Sequence, residues 1–253
     1  MKQEHGTSAN SSAMQSGSLP YSGYVQASEH GRIRLYQWDC MELLKQTPDN
    51  YYGLCIVDPP YGIGAHGGTV NSAKAFGGRG KSWDTSIPTP EYFAELRRVS
   101  VHQIIWGGNY FPLPCSRGWI FWYKHQPVPN LSDGELAWTS FDCVTRCCDY
   151  PYTNVMEGSG QRKSSAIHPT QKPIGLYRWL LQNYAKPGWK ILDTHGGSFS
   201  HAIACDIEGF DLDICELDPD YFAAGKKRFE NHLLQPRMFN VEPTPQPKQL
   251  TIE

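Results

Sequence analysis

Apolar and polar positions along the chain fall into short runs of two kinds. Residues 33–38 (IRLYQW) alternate with period two, which predicts a strand, and a short helix follows from about Met41 to Lys45. Residues 53–58 (GLCIVD) form an unbroken apolar run ending in an acid, the signature of a buried parallel strand whose carboxyl end opens onto a site. The stretches 102–108, 118–124, 135–142, 189–193 and 210–216 are apolar or aromatic runs of strand length bounded by turn formers. Helical spacing appears in 91–100 behind Pro90, in 174–185 with Leu176, Trp179, Leu180 and Tyr184 on one face, in 200–207 and in 219–232. Strands alternating with helices predict an α/β fold, a Rossmann-like, doubly wound and mostly parallel sheet. Between Gly62 and Ser86 the chain is glycine-rich without a hydrophobic period, which predicts a long loop.

A length of 253 residues supports one sizeable core and little beyond it. Residues 1–25 are polar and serine-rich and residues 241–253 are rich in Pro and Gln, so both are expected to be disordered tails around a single domain at 26–240. No apolar run approaches the roughly 20 residues that span a bilayer, and the amino end lacks an apolar signal core, so a cytoplasmic protein with no membrane partner is expected. The eight cysteines are scattered, several of them in apolar runs, and are expected to be reduced. The spacing of Cys143, Cys147 and Cys148 is that of neither a finger nor a ribbon, and no metal is expected. A formal net charge of −2 argues against a protein that coats nucleic acid, so any such contact must come from a local basic patch.

Three segments carry candidate chemistry. Asp58-Pro59-Pro60-Tyr61 follows a strand, where ligands bind in open α/β sheets. Two prolines remove two N–H donors, leaving carbonyls and a carboxylate as acceptors beside an aromatic ring; an amino group on a flat heterocycle needs that set. A turn with a structural tyrosine is the alternative. His168-Pro169-Thr170-Gln171-Lys172-Pro173 opens a helix with hydroxyl, amide and ammonium groups, where a carboxylate would be stabilised; it also reads as an ordinary polar helix entry. Asp193-Thr194-His195-Gly196-Gly197-Ser198-Phe199-Ser200 is a strand-to-helix turn of small residues, with Glu216 and Leu217 ending the next strand. Such a turn admits a cofactor close to the backbone, and the later acid can accept ribose hydroxyls.

Together the three segments resemble the amino-methyltransferases that modify DNA. D-P-P-Y looks like their catalytic tetrad, H-P-T-Q-K-P like their motif X, and D-T-H-G-G-S-F-S like their motif I, in the circularly permuted order of the family's β group. The resemblance spans about Ile33 to His232. It implies a seven-stranded methyltransferase sheet, S-adenosylmethionine as cofactor, DNA as partner, and methyl transfer to adenine N6 by base flipping, adenine following from Asp at the head of the tetrad. Asp58, Pro59, Pro60 and Tyr61 would be catalytic. Asp39, His168, Thr170, Gln171, Lys172, Asp193, Thr194, His195, Gly196, Gly197, Ser198, Ser200, Glu216 and Leu217 would bind the cofactor, Asp39 doubling as a helix N-cap. One departure stands out: Phe199 replaces the second glycine of the family's F-x-G-S-G and His195 its Phe. Phe199 is expected to pack inward as the helix begins.

Lys74, Arg79 and Lys81 in the glycine-rich loop, with Arg146, Arg162 and Lys163, are candidates for backbone contacts to DNA, a solvated surface loop being the alternative. The stretch left for target recognition, about 143–167, is short, which suggests a relaxed recognition sequence or a homodimer pooling two surfaces. Cytosine-N4 transfer, an RNA substrate and a catalytically inactive nucleic-acid-binding relative are the alternatives.

Overall fold

The computed structural model describes residues 24–27, 32–64, 83–125, 132–152, 167–168 and 170–235. These form one nine-stranded mixed sheet with helices on both faces. In chain order the elements are β1 (Tyr24–Ala27), β2 (Arg32–Tyr36), α1 (Cys40–Gln46), β3 (Tyr52–Val57), α2 (Pro90–Val99), β4 (Ser100–Trp106), a 3-10 turn at Gly108–Tyr110, β5 (Trp119–Tyr123), β6 (Gly134–Thr139), β7 (Arg146–Asp149), α3 (Ile174–Tyr184), β8 (Lys190–Asp193), α4 (Ser200–Glu208), β9 (Asp211–Cys215) and α5 (Pro219–Leu233). The sheet order is β1-β2-β9-β8-β3-β4-β6-β5-β7. Neighbours from β2 through β4 run parallel, and β6 lies antiparallel to both β4 and β5.

Seven strands match the apolar runs of the sequence, and the count of seven is corrected to nine by two four-residue edge strands. β1 adds antiparallel to β2, starting two residues inside the stretch expected to be tail, and β7 adds parallel to β5. Edge strands are held by backbone hydrogen bonds on one side only, so they need little of the apolar pattern that marks a buried strand.

Alternate residues of the inner strands feed two cores. Ile33, Leu35, Leu54, Ile56, Ile104, Ile191, Leu212 and Ile214 meet α3, α4 and Phe229 of α5 on one face. Tyr36, Cys55, Val57, Ile105, Leu192 and Cys215 meet Leu43 and Leu44 of α1 and Tyr92, Phe93 and Leu96 of α2 on the other. All six residues of β3 are buried, as a central strand covered on both faces requires.

Topology fixes where chemistry can sit. Because β2, β9, β8, β3 and β4 are parallel, the segments after them, carrying Trp38, Glu216, Thr194, Asp58 and Gly107, emerge at one edge of the sheet. The last two strands, β8 and β9, are wedged between β2 and β3 from the start of the chain. The antiparallel β6 brings its beginning, not its end, to the same edge, and that beginning carries Glu135.

Candidate active site

A cavity of about 480 Å³ opens at the carboxyl edge of the parallel strands. That lies within the usual range for small-molecule and cofactor sites. At one end it is walled by Asp58, Pro60, Lys172 and Tyr177, and at the other by Trp38, Asp39, Cys40, Glu216 and Leu217. Thr194, His195, Gly196, Gly197, Ser198 and Ser200 line the stretch between, with His168, Thr170, Gln171 and Trp83 across from them.

The turn after β8 supplies a backbone wall. Gly197 has φ +51, and a Cβ there would project to 3.5 Å from the His168 ring, filling the space between loop and ring. The Glu216 carboxylate spans this turn and the next, accepting from Gly197 N–H at 2.7 Å and Asp218 N–H at 2.9 Å. Burial nonetheless raises its pKa above the ordinary carboxylate range. Each of its oxygens retains a lone pair, so a diol can still be held. Asp39 caps α1, accepting from Met41 N–H at 2.8 Å, and also faces the cavity. Leu217 is 69% exposed on the rim, an apolar side chain that a flat ring could cover.

Phe199 explains how this turn closes without its second glycine. It stands immediately before α4 with φ +56, a left-handed conformation that disfavours a side chain by about 1–2 kcal/mol. Its ring is fully buried and faces away from the cavity, over Gly196 and Gly225 and edge-on to Phe222 at 5.7 Å. A Cβ on Gly196 would come within 2.5 Å of that ring, so the glycine is required by Phe199 itself. Burying a phenylalanine offsets the backbone strain.

Asp193 differs from its expected place. It is buried and does not line the cavity; its carboxylate accepts His195 N–H at 3.0 Å and meets His201 Nδ1 at 3.0 Å. The last residue of a parallel strand points into a core rather than outward here, because His201 of α4 offers it a partner, itself stacked on Tyr177 at 4.6 Å. Asp193 therefore shapes the turn from beneath. His195 lies in the wall, its Nδ1 2.9 Å from Thr194 Oγ1, which in turn bonds Tyr92 OH at 2.7 Å. Desolvation pushes the His195 pKa down to about 4, so the ring is neutral at ordinary pH.

At the other end stands the tetrad. Tyr61 OH donates to Asp58 Oδ1 at 2.6 Å, and its ring stacks on Tyr110 at 5.1 Å. Gly107, with φ +67, makes that placement possible: a Cβ would lie 2.3 Å from the Tyr61 ring. Pro59 is buried and Pro60 faces the cavity. Lys172 lines the cavity but its ammonium is not free to meet a carboxylate ligand. It is 4% exposed and donates to Asp58 Oδ2 at 2.6 Å, with Glu135 Oε2 at 3.0 Å. Lys124 bonds the other Glu135 oxygen. Four alternating charges thus run inward from the tetrad. Desolvation raises the Asp58 pKa against the opposing pull of Lys172, whereas Lys172 and Lys124 overcome the desolvation of Glu135 and hold it at about 2. Burial works against the Lys172 ammonium, and the two carboxylates outweigh it and raise its pKa.

Sequence reasoning missed Glu135, Lys124 and Tyr110. Their only signals were a charged residue at each of two aromatic strand ends and an aromatic after a Gly-Gly turn; joining them to Asp58 required the strand order. Trp38, Trp83 and Tyr221 were missed as well, being aromatics without a motif. Arg146 lies exposed in β7 on the far edge of the sheet. Lys74, Arg79, Lys81, Arg162, Lys163 and most of the 143–167 stretch fall outside the described residues, as do residues 1–23 and 241–253. Among the described residues no cluster of three or more His, Cys, Asp or Glu is placed to hold a metal, and no helix is long and apolar enough to cross a membrane.

No family model matches the chain. Among curated proteins it is 21% identical over 258 residues to the type II methyltransferase M2.MboI of Moraxella bovis, covering 84% of this chain and 92% of that one. It is 24% identical over 220 residues to the putative methylase YubD of Escherichia coli K12, covering 77% and 89%. Among solved structures it resembles M1.HpyAVI in complex with SAM (TM-score 0.50, 19% identity, 78% of this chain and 99% of that one). It also resembles the cytosine-N4-specific PvuII DNA methyltransferase (TM-score 0.50, 13% identity, 79% and 91%). At these identities the solved structures speak for the fold alone: the α/β architecture is shared with a SAM-bound protein and with a cytosine-N4-specific DNA methyltransferase.

Proposed function

We propose that this protein is a DNA methyltransferase of the permuted, β-group kind that transfers a methyl group from S-adenosylmethionine to adenine N6. The observation that carries the reading is the junction of an intact Asp58–Tyr61 tetrad with a cofactor-sized cavity, whose far end holds Glu216, Asp39 and an apolar rim. The curated relatives are named methyltransferase and methylase across most of their length.

The residues present fit the cofactor. Glu216 retains acceptors for two ribose hydroxyls, Gly197 leaves the space a Cβ would fill, and Thr170, Gln171, Ser198 and Ser200 offer polar groups for an amino-acid moiety. Trp38, Leu217 and Asp39 suit an adenine ring with an amino group. When bound, S-adenosylmethionine supplies an electrophilic methyl on a sulfonium. Asp58 and the Pro59 carbonyl accept the two N–H bonds of a flipped-out adenine and aim its nitrogen lone pair along the cavity. With the methyl donor held there, the amine nitrogen would take up the methyl group and its surplus N–H proton would pass to Asp58. Tyr61, backed by Tyr110, presents one ring face to the base. Lys74, Arg79, Lys81, Arg162 and Lys163, with Arg146 on β7, would hold the phosphate backbone.

Adenine is favoured over cytosine by the acid at the head of the tetrad; the likeness to a cytosine-N4-specific enzyme reaches the fold alone and does not decide. Digesting methylated duplex DNA to nucleosides and separating N6-methyladenosine from N4-methylcytosine tests the base. Offering single-stranded DNA and RNA as competing acceptors tests the polymer.

A further inference from the structure

Asp58 is asked to accept a hydrogen bond from the target amine while Tyr61 and Lys172 each already occupy one lone pair on its two oxygens, so an amine arriving at Oδ2 must share that oxygen with the Lys172 ammonium. The buried Lys172 ammonium cannot withdraw to water. It sits against the Trp106 ring, 5.3 Å from the centroid, and retreat into an unpaired apolar place would strand a charge. A second seat exists 3.0 Å away in Glu135, which belongs to a different strand and does not line the cavity.

Resting on the methyl-transfer reading, we propose that Glu135 is a positioning residue for the reaction. It holds the Lys172 ammonium from the side away from the substrate, so that Lys172 can share Asp58 Oδ2 with the incoming amine without losing its counter-ion. Lys124, bonded to the other Glu135 oxygen, fixes that carboxylate in place. Strand order makes the arrangement possible. β6 runs antiparallel to β4 and β5, so Glu135 at its start pairs across from Trp122 and meets both Lys124 beyond the end of β5 and Lys172 ahead of α3. Sharing Oδ2 leaves the charges unchanged, two carboxylates and two ammonium groups, until the N–H proton released by the methylated amine neutralises Asp58. The groups facing Asp58 are Tyr61 beside it, Tyr177 from α3, Lys172 and Glu135; both phenols are held protonated by burial, with Asp58 adding to it, and do not compete for that proton.

The experiment compares the full-length parent with Glu135→Gln, Lys172→Met and Lys172→Arg. It reads single-turnover methylation, calorimetric affinity for S-adenosylmethionine, and the Asp58 titration by carboxyl ¹³C NMR, assigned with Asp58→Asn. Glu135→Gln should slow transfer by about tenfold or more with cofactor affinity within about threefold. Losing the like charge should move the Asp58 titration to lower pH, whereas Lys172→Met, losing the opposite charge, should move it to higher pH. Lys172→Arg should recover part of the rate. Equal rates and unmoved Asp58 titrations in an active, folded Glu135→Gln protein would overturn the role of Glu135 alone. A parent chain that methylates no acceptor would overturn the methyl-transfer reading and this role with it. The NMR titration, which needs no turnover, separates a broken network from a missing activity.

Discussion

Below β8 and β9 the cavity wall is made of backbone, glycine and rings; below β3 and β6 it is backed by four charged side chains and a phenol, of which Asp58 and Lys172 reach the cavity. The first wall is shaped by sterics: Gly197 leaves room, and Phe199 presses on Gly196 from behind. The second is held by electrostatics, Lys124, Glu135, Lys172 and Asp58 alternating in sign in a place largely closed to water. A wall of backbone can tune affinity but supplies no group beside the target amine to take up its proton. A wall of buried charges contributes little to holding a neutral ribose but decides which acceptor is available and at what pH. Binding and turnover should therefore be separable by mutation.

The sharpest division is expected from Asp58→Ala, which should lower methyl transfer by about a thousandfold or more while calorimetric cofactor affinity stays within a few-fold. Glu216→Ala should do the reverse, cutting affinity by about 10- to 100-fold with single-turnover transfer at saturating cofactor much less affected, since a charge-assisted hydrogen-bond set contributes about 1.5–3 kcal/mol. If both variants lost affinity and rate together, the two ends would not be distinct.

Phe199→Ala should destabilise the fold by about 3 kcal/mol in denaturant unfolding, because the left-handed strain stays and the buried ring goes. Phe199→Gly should lose less than Phe199→Ala, since it also removes the strain. Equal losses would mean that φ +56 carries no penalty here. An effect of comparable size, read through pH, concerns His195. Its folded pKa of about 4 lies below the usual value near 6.5, so the unfolded chain binds the proton first and stability falls as pH drops from about 6.5 to 4. Replacing His195 by Phe should flatten the parent's pH dependence in that window, measured by thermal unfolding at matched ionic strength.

Much of this was legible in the residues. The seven inner strands announced themselves as apolar runs, and the tetrad and the small-residue turn lay at strand ends, so a parallel sheet alone gathers them. Glu135 was not legible, because a glutamate opening an aromatic strand looks like a solvated edge until the sheet order puts it opposite Lys172. Asp193 was misplaced for the opposite reason. Its position at the end of a strand is right for a ligand, but His201, the second residue of the next helix, turns it inward. Lys172 was assigned to a carboxylate ligand because its neighbours open a helix; its partner proved to be the protein's own carboxylate, 114 residues earlier.

The central claim is that Asp58 and its neighbours methylate a DNA base amine from a cofactor held against Gly197 and Glu216. The most direct test incubates the full-length protein and Asp58→Ala with methyl-deuterated S-adenosylmethionine and duplex DNA, then analyses the nucleosides by mass spectrometry. Labelled N6-methyladenosine from the parent, and none from a variant that still binds the cofactor, is the predicted result. Label on no nucleoside from a parent that binds the cofactor, or equal label from both proteins, would contradict it.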